Sequence, residues 1–140
     1  MIIPDLPPEE AGPWIQEARA SKLDTVFLAG PTSPLERIRE ISRRSRGFIY
    51  YTSVTGVTGI RGKLPEELEW AVKKIKGLSK KPVAVGFGIS TPEQVKEIGR
   101  YADGTIVGSA IVKIIAENLE NPNIAERVGD FISSLARALK

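Results

Sequence analysis

The chain has 140 residues, of which 41% are apolar and 26% charged, and a formal net charge of +3; this composition predicts one ordinary globular domain. It contains no cysteine and no histidine, which excludes disulfides, thiol nucleophiles, imidazole bases and ordinary zinc sites. The charge is too small to indicate a nucleic-acid partner and no apolar run reaches the roughly 18 residues of a membrane span, so we expect a cytoplasmic protein that binds neither nucleic acid nor membrane.

The first unit begins inside an apolar strand at residues 2–3, as expected of a chain cut from a longer one, and Asp5 lies at the end of that strand. Prolines and glutamates at 7–10 are typical of a helix start. Pro13 must lie in a first turn or at a kink, because proline disrupts a helix interior. The predicted apolar face of this helix consists of Trp14, Ile15 and Ala18.

The second unit has a strand at 25–29, a proline-rich turn at 30–34 and a helix with Leu35, Ile38 and Ile41 on one face. The other face of this helix carries arginines among acidic residues. Nucleic-acid binding is one reading of these arginines, but no aromatic residues alternate with them. A solvated helix face is the favoured interpretation.

The third unit has a strand at 48–51 and then a long glycine-containing segment that runs to residue 63. The segment is too long for a simple strand-to-helix turn, so it is interpreted as a loop that covers a ligand. A mobile connector is the alternative. A helix beginning near Pro65 follows, and its predicted apolar stripe is Leu64, Leu68, Val72 and Ile75.

The fourth and fifth units share one pattern, a short apolar strand that ends at a glycine and is followed at once by a helix start. The two stretches are 83–90 (VAVGFGIS) and 105–110 (TIVGSA). Residues 90–93 predict a capping box, with Ser90 or Thr91 as the cap. A last helix carries an apolar stripe of Val128, Ile132, Leu135 and Leu139.

These two strand ends are the candidate ligand site. Glycine allows main-chain N–H groups to approach a ligand closely, and a helix N-terminus adds unpaired donors with partial positive charge. Two such ends side by side predict a cup for an anion, and a phosphate monoester is the favoured ligand. As an alternative, Gly86 and Gly88 only relieve crowding where a strand meets a helix. The alternative role of Ser109 is to cap the following helix.

Strands that alternate with helices along the whole chain predict an α/β fold with parallel strands and right-handed crossovers. We expect about five parallel strands with flanking helices in a single domain, residues 1–140.

Several motifs together resemble the tryptophan synthase alpha subunit. They are 86–94 (GFGISTPEQ), 107–112 (VGSAIV), 47–51 (GFIYY), 53–59 (SVTGVTG) and 2–7 (IIPDLP), in family order over essentially the whole chain. The family is an eight-stranded (β/α) TIM barrel of about 250 residues. The resemblance therefore implies a partial barrel, the C-terminal five of eight βα units.

The resemblance also implies a function. The family is a lyase that cleaves indole-3-glycerol phosphate to indole and glyceraldehyde 3-phosphate in tryptophan biosynthesis. Its catalytic carboxylates lie in the part without a counterpart here, so this chain alone is expected to bind phosphate without turnover, with no catalytic residue, metal or cofactor of its own. By resemblance, Gly59, Gly88, Gly108 and Ser109 contact phosphate, while Tyr50 and Thr58 line the substrate pocket. A core position is the alternative for Tyr50.

The two edges of such a partial sheet, at 2–3 and 105–107, are unprotected, which predicts a homo-oligomer. Five strands from each of two copies give ten, so an eight-stranded ring requires that each copy drop one strand. An open sheet resembling the flavodoxin class, or a rearranged dimer, is the structural alternative. Three functional hypotheses remain: a phosphate-binding fragment, a lyase completed by an N-terminal barrel fragment or the tryptophan synthase beta subunit, and a self-associating scaffold without a ligand.

Overall fold

The structure is a computed structural model that describes residues 1–52, 64 and 67–139. Its described part contains one parallel four-stranded sheet in the order β1-β2-β3-β4, so that strands consecutive in the chain are neighbours in the sheet. The strands are β1 (Leu28–Ala29), β2 (Ile49–Tyr51), β3 (Val83–Gly86) and β4 (Gly104–Ile106). The helices are α1 (Gly12–Ala20), α2 (Leu35–Arg44), α3 (Leu68–Leu78), α4 (Pro92–Ile98), α5 (Ser109–Ala116) and α6 (Ile124–Ala138), with a 3-10 turn at Pro8–Glu10.

The predicted first strand is present only as a single parallel bridge between Ile2 and Val26. Val26 N–H donates to the carbonyl of Met1, and the parallel register would place Pro4 opposite Leu28. The next bonds of this ladder would use the carbonyl of Ile3 and the N–H of Asp5. The Ile3 carbonyl instead accepts from Leu6 N–H in a turn, so the ladder ends after one bridge. The prediction of five strands is corrected to four strands and a bridge.

The two faces of the sheet differ in what covers them. Ile49, Tyr51, Val83 and Val85 are buried in a core that they share with the helices. Because side chains alternate along a strand, the residues between them point to the opposite face. The register aligns Leu28, Tyr50, Ala84 and Gly104 across that second face, and all four are partly exposed. We call this second face the open face.

The helices cover the core face largely with the predicted residues. Ile15, Ile38, Val72 and Ile98 are buried, and Pro13 lies within the first turn of α1 as expected. The stripe predicted for α6 is partly wrong. Leu135 is buried as predicted, but Ile132 and Leu139 are exposed, and Phe131 and Ala138 pack against the core in their place. The helix is rotated relative to the prediction because an amphipathic pattern with several apolar positions allows more than one buried face.

Several local features fix the ends and surfaces of the helices. Thr91 caps α4 in a capping box, whose returning side chain is that of Gln94, and Glu93 lies in the first turn. The arginines of α2 and its C-terminal flank form ion pairs with carboxylates, in agreement with a solvated face. Among the described helices, none combines the length and apolarity that crossing a membrane would require.

Candidate functional site

The two glycines predicted to form the anion cup lie at the carboxyl ends of neighbouring strands. Gly86 of β3 pairs with Ile106 of β4, and Gly88 and Gly108 each follow two residues later. Gly88 has a φ of +43°, a left-handed conformation that favours glycine. Gly108 is exposed, and a Cβ added there would meet nothing within 4 Å. The fold therefore brings both glycines to one end of the sheet and leaves open space above Gly108.

The N-terminus of α5 supplies donors at the same place. Gly108 is the N-cap of this helix and its carbonyl accepts from the N–H groups of Ile111 and Val112. In an α-helix the N–H groups before that point have no intrahelical acceptor. Here these are the N–H groups of Ser109 and Ala110. Ser109 is the first residue of α5 rather than its cap, which removes the capping alternative and leaves its hydroxyl beside these donors.

Tyr50 lies on the open face and is not part of the buried core, where its neighbour Tyr51 is found instead. Its ring crosses to the next strand and covers the Cα of Gly86. A Cβ at Gly86 would come within 2.5 Å of Tyr50 Cε2 and of its hydroxyl oxygen. Partial burial raises the pKa of the Tyr50 hydroxyl. Tyr50 is thus a partly exposed side chain on the open face.

Two predicted site residues, Gly59 and Thr58, lie outside the described residues. The structure thus brings together Gly88, Gly108 and Ser109 at one end of the sheet. It places Tyr50 on the open face beside Gly86.

Asp103 has a structural role that no sequence motif indicated. Its Oδ2 accepts from Val83 N–H at 2.8 Å and its Oδ1 from Lys76 Nζ at 2.8 Å. The Lys76 hydrogen bond is the main cause that holds the pKa of the Asp103 carboxyl below its usual range. An acidic residue directly before a strand was the only sequence signal. Its role is to join the starts of β3 and β4, away from the glycine-bearing strand ends.

The described part of the chain holds no group of three or more acidic side chains that could bind a metal ion. What the arrangement can do chemically is to donate main-chain and hydroxyl hydrogen bonds to an anion.

Comparison with known proteins identifies the family. The family model described as tryptophan synthase alpha chain matches residues 1–139. The chain belongs to the tryptophan synthase alpha chain family. The alpha chain of Citrifermentans bemidjiense is 44% identical over 139 residues, which are 99% of this chain and 52% of that protein.

Solved tryptophan synthase structures agree in fold. The structure of the Mycobacterium tuberculosis enzyme superposes with a TM-score of 0.84 at 37% identity, covering 99% of this chain and 50% of that one. A Pyrococcus furiosus structure is described as a tryptophan synthase α2β2 complex from a hyperthermophile. It superposes with a TM-score of 0.83 at 35% identity, covering 96% of this chain and 54% of that one. This chain therefore spans about half the length of its tryptophan synthase relatives, and its fold is half of their TIM barrel.

Proposed function

We propose that this chain is the phosphate-binding half of a tryptophan synthase alpha barrel and binds phosphate monoesters such as indole-3-glycerol phosphate. The observation that carries the proposal is the pairing of Gly86 with Ile106, which puts Gly88 and Gly108 at the same end of adjacent strands. The free N–H groups of Ser109 and Ala110 follow directly. A phosphate dianion at this position accepts several hydrogen bonds and gains from the partial positive charge of the helix end.

The same proposal gives Gly59 a phosphate contact and gives Tyr50 and Thr58 the indole side of the pocket, as the family resemblance implies. Tyr50 supports this assignment because it presents a partly exposed ring on the open face. The organic part of the ligand would then extend from the strand ends over the open face.

We propose no turnover for the chain alone. The family's reaction needs positioned carboxylates, and each positioned acid or base commonly contributes about 10²–10⁴-fold to the rate. By resemblance these carboxylates belong to the half of the barrel that this chain does not match. Release of indole from indole-3-glycerol phosphate should therefore stay at the uncatalysed level.

A complementing N-terminal barrel half or a tryptophan synthase beta subunit is the proposed partner that restores activity. The α2β2 description of the Pyrococcus furiosus relative supports the second of these. Activity that appears on adding either partner would distinguish a completed lyase from a fragment that only binds. Reactions of this kind on small phosphorylated metabolites favour a cytoplasmic location.

The test of phosphate binding is thermal unfolding with and without inorganic phosphate at constant ionic strength. At ten times its Kd, phosphate should stabilise the chain by about 1.4 kcal/mol. Gly108→Val should abolish this gain, because its side chain would fill the open space above the strand end. Gly129→Val is the matched control, since a Cβ at Gly129 also meets nothing within 4 Å. A folded chain without phosphate stabilisation would favour the scaffold without a ligand.

A further inference from the structure

We propose that the bond between Asp103 and Gly104 is a site of isoaspartate formation, and that hydrogen bonds from Val83 and Lys76 to the Asp103 carboxylate protect it in the folded chain. The inference concerns the amino ends of β3 and β4. It is therefore independent of phosphate binding, which is proposed for the opposite end of the sheet.

The sequence concentrates this chemistry at one bond. Asp103 and Gly104 form the one Asp-Gly pair of the chain, which has no Asn-Gly pair. Glycine has no Cβ to obstruct its main-chain nitrogen and leaves the backbone free to bend, so this nitrogen can reach the carboxyl group before it. The other aspartates precede leucine, threonine or phenylalanine, whose side chains hinder the same attack: Asp5, Asp24 and Asp130.

The reaction has two steps, consumes no reagent except water and changes no oxidation state. In the first step, the main-chain nitrogen of Gly104 forms a bond to Cγ of the protonated Asp103 carboxyl group. The carboxyl hydroxyl and the amide hydrogen leave as water, and a cyclic succinimide remains. In the second step, water adds to a ring carbonyl and breaks its bond to nitrogen. Opening at the main-chain carbonyl gives isoaspartate, whereas opening at Cγ restores aspartate.

In the folded chain both carboxylate oxygens of Asp103 are held. Oδ2 accepts from Val83 N–H at 2.8 Å and Oδ1 from Lys76 Nζ at 2.8 Å. Asp103 N–H donates in turn to Val83 O at 2.9 Å. We call these three hydrogen bonds the Asp103 clamp. A carboxyl group fixed in this way cannot rotate freely to present Cγ to the nitrogen of Gly104.

Charge adds to this protection. The hydrogen bond from Lys76 is the main cause that lowers the pKa of Asp103, so the carboxyl is ionised at neutral pH and lacks the hydroxyl that must leave. The side chains of Asp103 and Lys76 are nevertheless 39% and 40% exposed. Because openings at exposed positions cost less than global unfolding, we expect the reaction to pass through local opening of the clamp.

Isomerisation at this position would damage the sheet. In isoaspartate the chain runs through Cβ and Cγ, which puts an extra main-chain atom directly before β4. The register of β4 pairs Gly104 with Ala84 and Ile106 with Gly86. The extra atom would disturb this register and move the carboxylate away from Val83 N–H. The clamp therefore protects the pairing of β3 with β4.

The test follows isoaspartate during incubation at neutral pH and physiological temperature. Trypsin releases residues 101–113 as one peptide, because Arg100 and Lys113 bound a stretch without other basic residues. Chromatography separates its isoaspartyl form, and labelling by an isoaspartyl methyltransferase identifies it. We expect the product to accumulate many-fold faster in guanidinium chloride than in the native chain. Gly104→Ala should suppress it in the unfolded chain, because a Cβ obstructs the attacking nitrogen.

Lys76→Met tests the clamp itself. Lys76 and Asp103 form a partly exposed ion pair, so its loss should raise the rate of isomerisation in the native chain by about two- to fivefold. Lys73→Met is the matched control on the same helix, because Lys73 pairs with Glu69 at 2.6 Å and not with Asp103. The rate in this control should equal that of the wild type.

Ser45→Ala separates local opening from global unfolding. Ser45 is buried and its Oγ accepts from Phe27 N–H, so its loss lowers global stability without removing a bond of the clamp. Isomerisation in native Ser45→Ala should stay at the wild-type rate.

Three results would each overturn the proposal. They are a native wild type that reacts as fast as the unfolded chain, a Lys76→Met rate no higher than that of Lys73→Met, and a Ser45→Ala rate as high as that of Lys76→Met. None of these results affects stabilisation by phosphate, so the two proposals can fail separately.

Discussion

The ring of Tyr50 lies directly over the Cα of Gly86 on the neighbouring strand, so that a Cβ at Gly86 would come within 2.5 Å of Tyr50 Cε2 and its hydroxyl oxygen. The absence of a side chain at Gly86 is thus what allows the Tyr50 ring to occupy this position on the open face. This contact links Gly86, which belongs to the motif at 86–94, to Tyr50, which belongs to the motif at 47–51. Neither motif predicts the contact alone.

Gly86→Ala should push the Tyr50 ring away from the sheet and into solvent. The pKa of Tyr50, which partial burial raises, should then fall toward its ordinary value. Because the ring can rotate on the open face, we expect a stability cost near the lower end of the about 1–3 kcal/mol typical of overpacking. Spectrophotometric titration measures the pKa, with Tyr51→Phe and Tyr101→Phe removing the other two tyrosines.

Gly104→Ala is the control for this prediction. Gly104 lies on the same face, but a Cβ there would be 3.8 Å from the Cβ of Ala84, an ordinary contact. The pKa of Tyr50 should not change in this variant. An unchanged Tyr50 pKa in Gly86→Ala would contradict the close contact.

Thr91→Ala should destabilise the chain by about 0.5–2 kcal/mol, the usual cost of losing an N-cap. Thr91 Oγ1 accepts from the N–H of Gln94 at 3.3 Å, and Gln94 Oε1 accepts from the N–H of Ser90 at 2.8 Å. Ser90→Ala is the control, because Ser90 Oγ is 3.5 Å from Gln94 Oε1 and contributes little. Urea denaturation measures both, and equal costs would argue against Thr91 as the cap.

Ser45→Ala should cost about 1–3 kcal/mol, because it leaves a buried N–H group without an acceptor. Ser45 is 1% exposed, and its Oγ accepts from Phe27 N–H at 3.1 Å, joining the end of α2 to the chain that leads into β1. Ser42→Ala provides a matched comparison, since Ser42 Oγ donates to Ser79 Oγ in a half-buried position. Denaturation midpoints should rank Ser45→Ala as clearly the more harmful change.

Asp103 should make the stability of the chain depend on pH in acid. Its folded-state pKa is lowered, mainly by the hydrogen bond from Lys76, so its contribution is complete above the ordinary aspartate value. The contribution is lost as the pH falls from about 4 through the lowered pKa of the folded state. The amide oxygen of the Asp103→Asn variant can still accept from Val83 N–H. In this variant the free energy of unfolding should change less with pH in this range.

Lys76→Met should also reduce the dependence of the unfolding free energy on pH in acid, because it removes the main cause of the lowered pKa at Asp103. Unfolding free energies at a series of pH values between neutrality and pH 3 measure the effect. A wild-type curve that runs parallel to that of Asp103→Asn over this range would refute the assignment.

The sequence by itself determined the alternation of strands and helices, most buried helix faces and the family motifs. These follow from local periodicity and turn chemistry, as with Ile38 and Ile41 of α2 or Pro13 in the first turn of α1. It also located the glycines that the fold brings to one end of the sheet. Gly88 and Gly108 could be found because a glycine between a strand and a helix leaves a local signal.

Only the tertiary structure decided how these pieces meet. The first strand is reduced to one bridge where the Ile3 carbonyl turns to Leu6 N–H, and the buried face of α6 depends on which core it packs against. Tyr50 over Gly86, Phe27 bonded to Ser45 and Val83 bonded to Asp103 all join residues far apart in sequence. Such contacts are set by strand register and helix rotation, which local propensities do not specify because each is fixed by the packing of the whole sheet.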